Sequence, residues 1–352
     1  MDRSILMDKV NAQLSEQLVG KRLIENVYNK NGLLIMKSQT ILNRIHVQNF
    51  LAHRIDTAEL NIETIGPFGK PSSLQLSQEM DEAVAVVRDV FNEVLNSKKL
   101  PLTEIRKSVI PLILKTVEQE NVFEVFAALQ EKDDYLYRHS IAVGTISALI
   151  GRQLGYNEID LLQLTMAAVL HDIGKLYIAP ELLSKPDKLT TAEFEIMKRH
   201  TILGYELVKK TIGTSSRQAL VVLQHHERVD GTGYPLGLIG DQIDHFSRIV
   251  AVADVFHAMT SRREYRNPFP FYEVLMQMEQ NAFGILDPTI IRILINKIMQ
   301  TMIGFEVILT DGRQGTIVLI NPYDGTHPLI HIDDNFEDLS KNNSLQIQQI
   351  LL

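Results

Sequence analysis

Imidazole and carboxylate side chains recur in this chain at positions that suit metal chemistry. His171-Asp172-Ile173-Gly174-Lys175 closes an apolar run, residues 161–170, in which Leu161, Leu164, Thr165 and Ala168 mark one helical face. A helix that ends on His-Asp and then Gly puts an imidazole beside a carboxylate where the backbone leaves the core. Adjacent helical residues point about 100° apart, so both reach one centre only near a helix end. Neutral imidazole and carboxylate together suit divalent first-row metals. Alone, the dipeptide is a common surface feature. The rest of the chain gives it weight, with His139 upstream and His200, His225-His226-Glu227, Asp230-Gly231-Thr232-Gly233-Tyr234-Pro235 and Asp254 downstream.

Each of these residues falls on or at the end of an expected helix. One spans 135–154, with Ile141, Ile146, Leu149 and Ile150 apolar, and carries His139; the next spans 158–171. Thr190 and Glu193 form a capping box for a helix carrying His200, and Gly204 lies one turn later, where a missing side chain permits close helix approach. A helix over 218–226 ends in the Gly-rich loop, and one over 246–261 carries Asp254. Five helices then bring His and Asp to one point, a bundle-core metal site. A lone His such as His139 on an apolar helix is usually a satisfied core residue, so its company is what marks it.

The order and spacing of these motifs over about residues 131–300 resemble the HD-GYP family, a branch of the HD-domain phosphohydrolases. The resemblance implies a mainly α fold, with a helical-bundle catalytic domain and small β-containing units at both ends. It implies a metal set of His139, His171, Asp172, His200, His225, His226 and Asp254, with Asp172 bridging two divalent ions. Iron or manganese is expected, although ligand type alone does not separate these from nickel, cobalt or zinc. The implied activity is hydrolysis of cyclic di-GMP to linear pGpG, with further cleavage to GMP, by a metal-bridging hydroxide. Asp172 and Lys175 are the implied catalytic residues. Lys175, Arg263, Arg266, Gly233, Tyr234 and Pro235 are the implied substrate contacts, the Gly-Tyr-Pro loop also offering an edge for a signalling partner. Arg262 has no counterpart and reads as solvent-facing.

Two positions depart from the family pattern. Some members hold a third metal with a Glu one turn before the first His; here that residue is Tyr135, a poor ligand at neutral pH, so a dinuclear site is expected. Asp133 and Asp134 lie off that face, Asp133 being either a partner for Lys175 or a solvated helix-start acid. Three residues after Asp254 the commoner residue is Asp; here it is His257, which alters the surroundings of the site without removing a ligand. Two rival readings stay open: an HD hydrolase for another cyclic dinucleotide or a nucleotide, and a non-catalytic cyclic di-GMP receptor.

Composition bounds the rest. The 352 residues suffice for two or three domains, and 45% hydrophobic with 22% charged residues is an ordinary globular balance. With no Cys, any metal site uses His, Asp, Glu or water. A net charge of −8 argues against general affinity for nucleic acid or anionic membrane. Residues 1–18 lack a signal-peptide core and no apolar run reaches about 18 residues, so a cytoplasmic protein is expected.

The expected divisions are 1–64, a small α/β or β-rich unit; 65–130, a linker and helical segment; 131–300, the catalytic domain; and 301–352, a small β-rich tail. In the first, 21–28 and 33–37 flank Asn31-Gly32 as a hairpin, a short helix has Ile41, Leu42, Ile45 and Phe50 as its stripe, and 58–62 returns as a strand. The Pro/Gly/Ser-rich stretch 65–73 is a linker. Residues 74–120 are helical, with Met80, Val84, Val87 and Val90 on one face, Pro101 at a helix start and Pro111 kinking or dividing the second helix. That segment either adds a layer to the catalytic domain or carries signal to it. The tail reads as strands at 305–309, 314–320, 329–332 and 345–351. The helical linker is compatible with a homodimer.

Overall fold

The computed structural model describes residues 74–118, 134–261 except 186, 271–351 except 343, and most of 18–64. The chain divides into two compact units, one within Leu74–Thr301 and one drawn from the two ends of the chain. Among the described residues, no helix is long and apolar enough to cross a membrane.

Near the N-terminus, β2 (Val27–Tyr28) pairs antiparallel with β3 (Leu34–Met36), and Gly32 takes a φ of 77° in the turn between them. The hairpin is shorter than its sequence suggests. β1 (Lys21–Leu23) turns away and pairs with β4 (Ile62–Thr64), so the returning strand begins where 58–62 was expected to end. The break falls at Glu25 and Asn26, and the Asn26 side chain accepts a hydrogen bond from the Ser38 amide at 2.7 Å. The helix α1 (Arg44–Ala52) buries Val47 and Phe50, with Leu42 just ahead of it; Asn31 and Ile41 lie outside the described residues.

The C-terminal tail is one antiparallel sheet in the order β8-β7-β6-β5-β9, built from β5 (Glu306–Leu309), β6 (Gln314–Asn321), β7 (Asp324–Ile332), β8 (Asn335–Asp338) and β9 (Ile347–Leu351). β7 begins five residues earlier than its apolar alternation indicates, and β8 has no apolar alternation at all. Both depend on pairing, β8 being recruited by the edge of β7 from Leu329 to Ile332.

The larger unit starts with α2 (Leu74–Ser97), whose buried Met80, Val84, Val87, Phe91 and Val94 repeat every three to four residues. After Pro101 come α3 (Leu102–Glu104), a π-helical turn over Ile105–Val109, and α4 (Ile110–Glu118). Pro111 is the second residue of α4, and the chain stays right-handed helical through the π turn before it rather than dividing. Lacking an N–H and crowding the carbonyl four residues back, Pro111 favours the wider π turn directly before it. α2 and α4 share one hydrophobic core with the helices that follow, which places this segment as an added layer of the bundle.

The helices that follow are α5 (Tyr135–Gln153), α6 (Glu158–Leu170), the short α7 (Pro180–Leu183), α8 (Thr191–Lys210), α9 (Ser216–Gln224), α10 (His245–Thr260), α11 (Phe271–Ile285) and α12 (Pro288–Thr301), of which α5, α6, α8 and α9 contribute to that core. α5 is buried continuously from His139 to Gly151 and packs against α6, α10 and α4. The Thr190–Glu193 capping box starts α8 in both senses, Thr190 N to Glu193 Oε2 at 2.8 Å and Glu193 N to Thr190 Oγ1 at 3.3 Å. Ser215 and Gln218 do the same for α9.

Candidate metal centre

Helix ends deliver most of the site. His139 lies in the second turn of α5, and His171 caps the C-terminus of α6, with Asp172 opening the 3-10 turn Ile173–Tyr177. His200 is on the inner face of α8, His225 caps the C-terminus of α9, His226 follows, and Asp254 is on α10. All seven side chains expected as ligands meet in two groups: Asp172, His200, His225 and His226, and His139, His171 and Asp254, each with its donor atoms within 4.8 Å of one another.

Asp172 faces both groups. Its Oδ2 lies 3.3 Å from His171 Nε2 and 3.5 Å from His139 Nε2, and its Oδ1 lies 3.4 Å from His200 Nε2 and 3.7 Å from His225 Nε2. Asp254 spans the far side, Oδ1 3.1 Å from His139 Nε2 and Oδ2 3.9 Å from His226 Nδ1.

Three imidazoles have their tautomer fixed by their own helix. His171 Nδ1 donates to the Ala168 carbonyl at 2.7 Å, His200 Nδ1 to Met197 at 2.7 Å and His225 Nδ1 to Val222 at 3.0 Å. A carbonyl only accepts, so each neutral ring carries its proton on Nδ1 and turns the Nε2 lone pair inward. Those lone pairs face carboxylate oxygens. His171 Nε2 and Asp172 Oδ1 are buried and have no hydrogen-bond partner in the protein. An orphaned buried polar atom costs about 1–3 kcal/mol. Cations bound by these donors would relieve this cost, and each of the two groups would fit a divalent ion.

Proton affinities agree. Burial pushes His200 down to about 3, lowers His139 and His225, and holds His226 well below the ordinary imidazole range. For His171 burial also acts downward, but the adjacent Asp172 carboxylate outweighs it and its pKa is raised. Burial opposes ionisation of Asp172 and Asp254; Lys175 and His171 around the first, and His139 and His226 around the second, hold both carboxyls well below the usual range. The site therefore presents mainly neutral imidazoles and ionised carboxylates, the states that metals require.

Lys175 reaches back one turn and places its ammonium on Asp172 Oδ2 at 2.5 Å. Tyr135 stacks on the His139 ring, with centroids 5.5 Å apart and planes inclined by 14°. Asp134 is tied to Arg88 on α2 at 2.8 Å. Asp133, Arg262, Arg263 and Arg266 lie outside the described residues.

The Gly-rich loop closes one side of the centre. The Tyr234 ring lies 4.8 Å from that of His226, and burial pushes its hydroxyl pKa up. Gly233 sits so close to the preceding backbone that a Cβ there would come within 2.3 Å of Arg228 N. Pro235 follows in the loop, its Tyr234-Pro235 bond being cis. Glu227, which the sequence pattern shows only as the residue after His-His, anchors this loop. It is 2% exposed, and its carboxylate accepts from Leu236 N at 2.6 Å and Leu238 N at 3.0 Å. Its partners are backbone amides nine and eleven residues on, which no side-chain pattern advertises. Glu227→Ala is expected to cost about 2 kcal/mol through the two abandoned amides and to speed hydrogen exchange at Leu236 and Leu238. Unchanged exchange would show that the loop does not depend on it.

The HD domain family matches residues 124–290. A cyclic di-GMP phosphodiesterase of Thermotoga maritima is 34% identical over 233 residues, covering 63% of this chain and 62% of that protein. One from Pseudomonas aeruginosa is 31% identical over 255 residues, covering 70% of this chain and 61% of that protein. A 3'3'-cGAMP-specific phosphodiesterase of Vibrio cholerae is 38% identical over 157 residues, covering 45% of this chain and 34% of that protein. The chain thus spans at most 62% of the length of these relatives. Among solved structures, Bd1817, described as an HDG"Y"P protein from Bdellovibrio bacteriovorus, shares the fold with a TM-score of 0.52 and 18% identity, over 80% of this chain and 97% of that one.

Proposed function

Because the chain belongs to the HD-GYP branch of the HD-domain family, we propose that it is a metal-dependent phosphodiesterase that hydrolyses cyclic di-GMP to linear pGpG, and onward to GMP, in the cytoplasm of a signalling bacterium. The observation that carries this reading is Asp172, whose two oxygens each face a separate group of imidazole lone pairs. Two divalent ions, iron or manganese in this reading, supply a water of near-neutral pKa and Lewis acidity toward a phosphoryl oxygen.

The chain's own residues do the rest. Asp172 sets the spacing of the two groups, and the Nδ1–H bonds to Ala168, Met197 and Val222 hold three imidazoles rigidly at their places. In this reading Lys175 acts as a point charge that stabilises negative charge growing on the phosphoryl oxygens. Gly233, Tyr234 and Pro235 form a cleft wall. On α8, Lys198 lies over the rings of Phe194 and Tyr234, a cationic and aromatic rim suited to phosphate and base. Arg263 and Arg266 complete the proposal as forked donors to phosphate or guanine.

The test is turnover of cyclic di-GMP by anaerobically prepared, iron- or manganese-loaded protein, with pGpG as the first product. Tight binding without turnover in fully metallated protein would replace the enzyme by a receptor, and preference for 3'3'-cGAMP in direct competition would replace the substrate. Lys175→Met is expected to lower kcat by ~10²-fold, the scale of losing one donor to a developing anion, with metal content unchanged. Unaltered kcat would remove Lys175 from the chemistry.

A further inference from the structure

His257 stands where the family pattern commonly has an acid, and the structure gives it a specific partner. Its Nδ1 lies 2.8 Å from Nδ1 of His139, both rings being buried. On the other side its Nε2 lies 2.9 Å from Ser261 Oγ, and that hydroxyl donates to the His257 carbonyl at 2.6 Å. His139 lacks the device that fixes His171, His200 and His225, a Nδ1–H bond to a carbonyl of its own helix.

With a cation at His139 Nε2, one set of proton positions satisfies the whole chain; without one, the fully reversed set, His139 Nε2–H donating to Asp254, would serve as well. For His139 Nε2 to face Asp254 and Asp172 as a bare donor to a cation, its proton must sit on Nδ1. That N–H then donates to His257 Nδ1, which must be bare. The His257 proton therefore sits on Nε2 and points at Ser261 Oγ. The hydroxyl can accept it because its own proton is directed to the His257 carbonyl. Reversing any one of these protons sets two donors or two lone pairs against each other.

We propose that His257 is a positioning residue for the metal held by His139, His171 and Asp254: with Ser261 it fixes the His139 tautomer and ring orientation, and so governs occupancy of that ion over its neighbour. Tyr135 stacks on the His139 ring, with its own ring centroid 6.4 Å from that of His257, and so flanks the pair. An imidazole acceptor is neutral where a carboxylate would be charged, so His139 is held in place with less electron donation toward the ion. The inference rests on the dinuclear reading above.

The test compares metal binding by wild type, His257→Leu and His257→Asn under one loading and dialysis protocol. Wild type must first hold two ions per chain; fewer would sink the dinuclear reading itself. His257→Leu fills space without an acceptor and is expected to weaken one of the two ions by ~10–100-fold, the usual effect of removing such a partner, leaving the other unaffected. His257→Asn restores an acceptor oxygen near the Nδ1 position and is expected to recover most of that loss, which a purely structural role would not produce. Two ions bound by His257→Leu with wild-type affinity would overturn the proposal. Nitrogen-15 histidine spectra of zinc-loaded wild type give a reading independent of variant folding: His257 is expected as the Nε2–H tautomer, and a protonated Nδ1 would contradict it.

Discussion

Replacing Asp172 by Ala is expected to remove both metals and all but a trace of activity. Its two oxygens serve both groups, so one substitution breaks two sites at once. Metal-ion catalysis supplies several kcal/mol of charge stabilisation, and each ~1.4 kcal/mol is a factor of ten in rate. A fall of at least ~10³-fold in kcat/KM follows from these two figures. The folded chain is expected to survive at lower stability, because Lys175, whose side chain is 24% exposed, can rehydrate once its carboxylate partner is gone. The check is elemental analysis and turnover on one preparation, with circular dichroism to establish folding. A variant with wild-type metal content would show that Asp172 is not the shared ligand.

The second large effect comes from a residue that touches no substrate. Gly174 lies against α8 so closely that a Cβ would stand 1.9 Å from the His200 carbonyl oxygen and 2.6 Å from Gly204 N. Both are backbone atoms and neither can rotate aside. Gly204 answers from the other helix, where an added Cβ would meet Val222 Cγ1 at 2.7 Å and Gly174 N at 3.1 Å. Gly174→Ala must therefore push α8 away from the turn that holds Asp172, and His200 moves with it. A cost of ~3 kcal/mol or more is expected for such overpacking, with a Tm fall of roughly 6–12 °C for a unit of this size. The ion on the Asp172, His200, His225 and His226 side should be lost first. Gly155→Ala is the control: Gly155 has a φ of 74° but no atom within 4 Å of an added Cβ, so only left-handed strain of about 1–2 kcal/mol is expected, with both ions retained. Equal effects from the two substitutions would refute the role of close helix approach.

Much of the helical unit was legible because helix-forming signals and chemical residues coincide. The apolar run ending at Leu170, the Thr190–Glu193 box and the single Gly204 each mark a local event that the fold repeats faithfully. Convergence of His139, His171, Asp172, His200, His225, His226 and Asp254 could be read from motif order through resemblance, and the structure brings those seven together. What stayed hidden is tertiary. Glu227 acts on amides in a loop whose path no periodicity encodes. The partnership of His257 with His139 joins residues 118 positions apart on two different helices. The terminal units were read less well because short strands take their register from partners. β1 left its expected hairpin for β4, and β8 exists only by pairing with β7.

A carboxylate shared between two cations fixes a stoichiometry that can be counted. Elemental analysis of freshly purified, anaerobically handled wild-type protein should give two divalent ions per chain, falling to none in Asp172→Ala, with cyclic di-GMP cleaved only by the loaded form. One ion or none in wild-type protein that still cleaves cyclic di-GMP would contradict it.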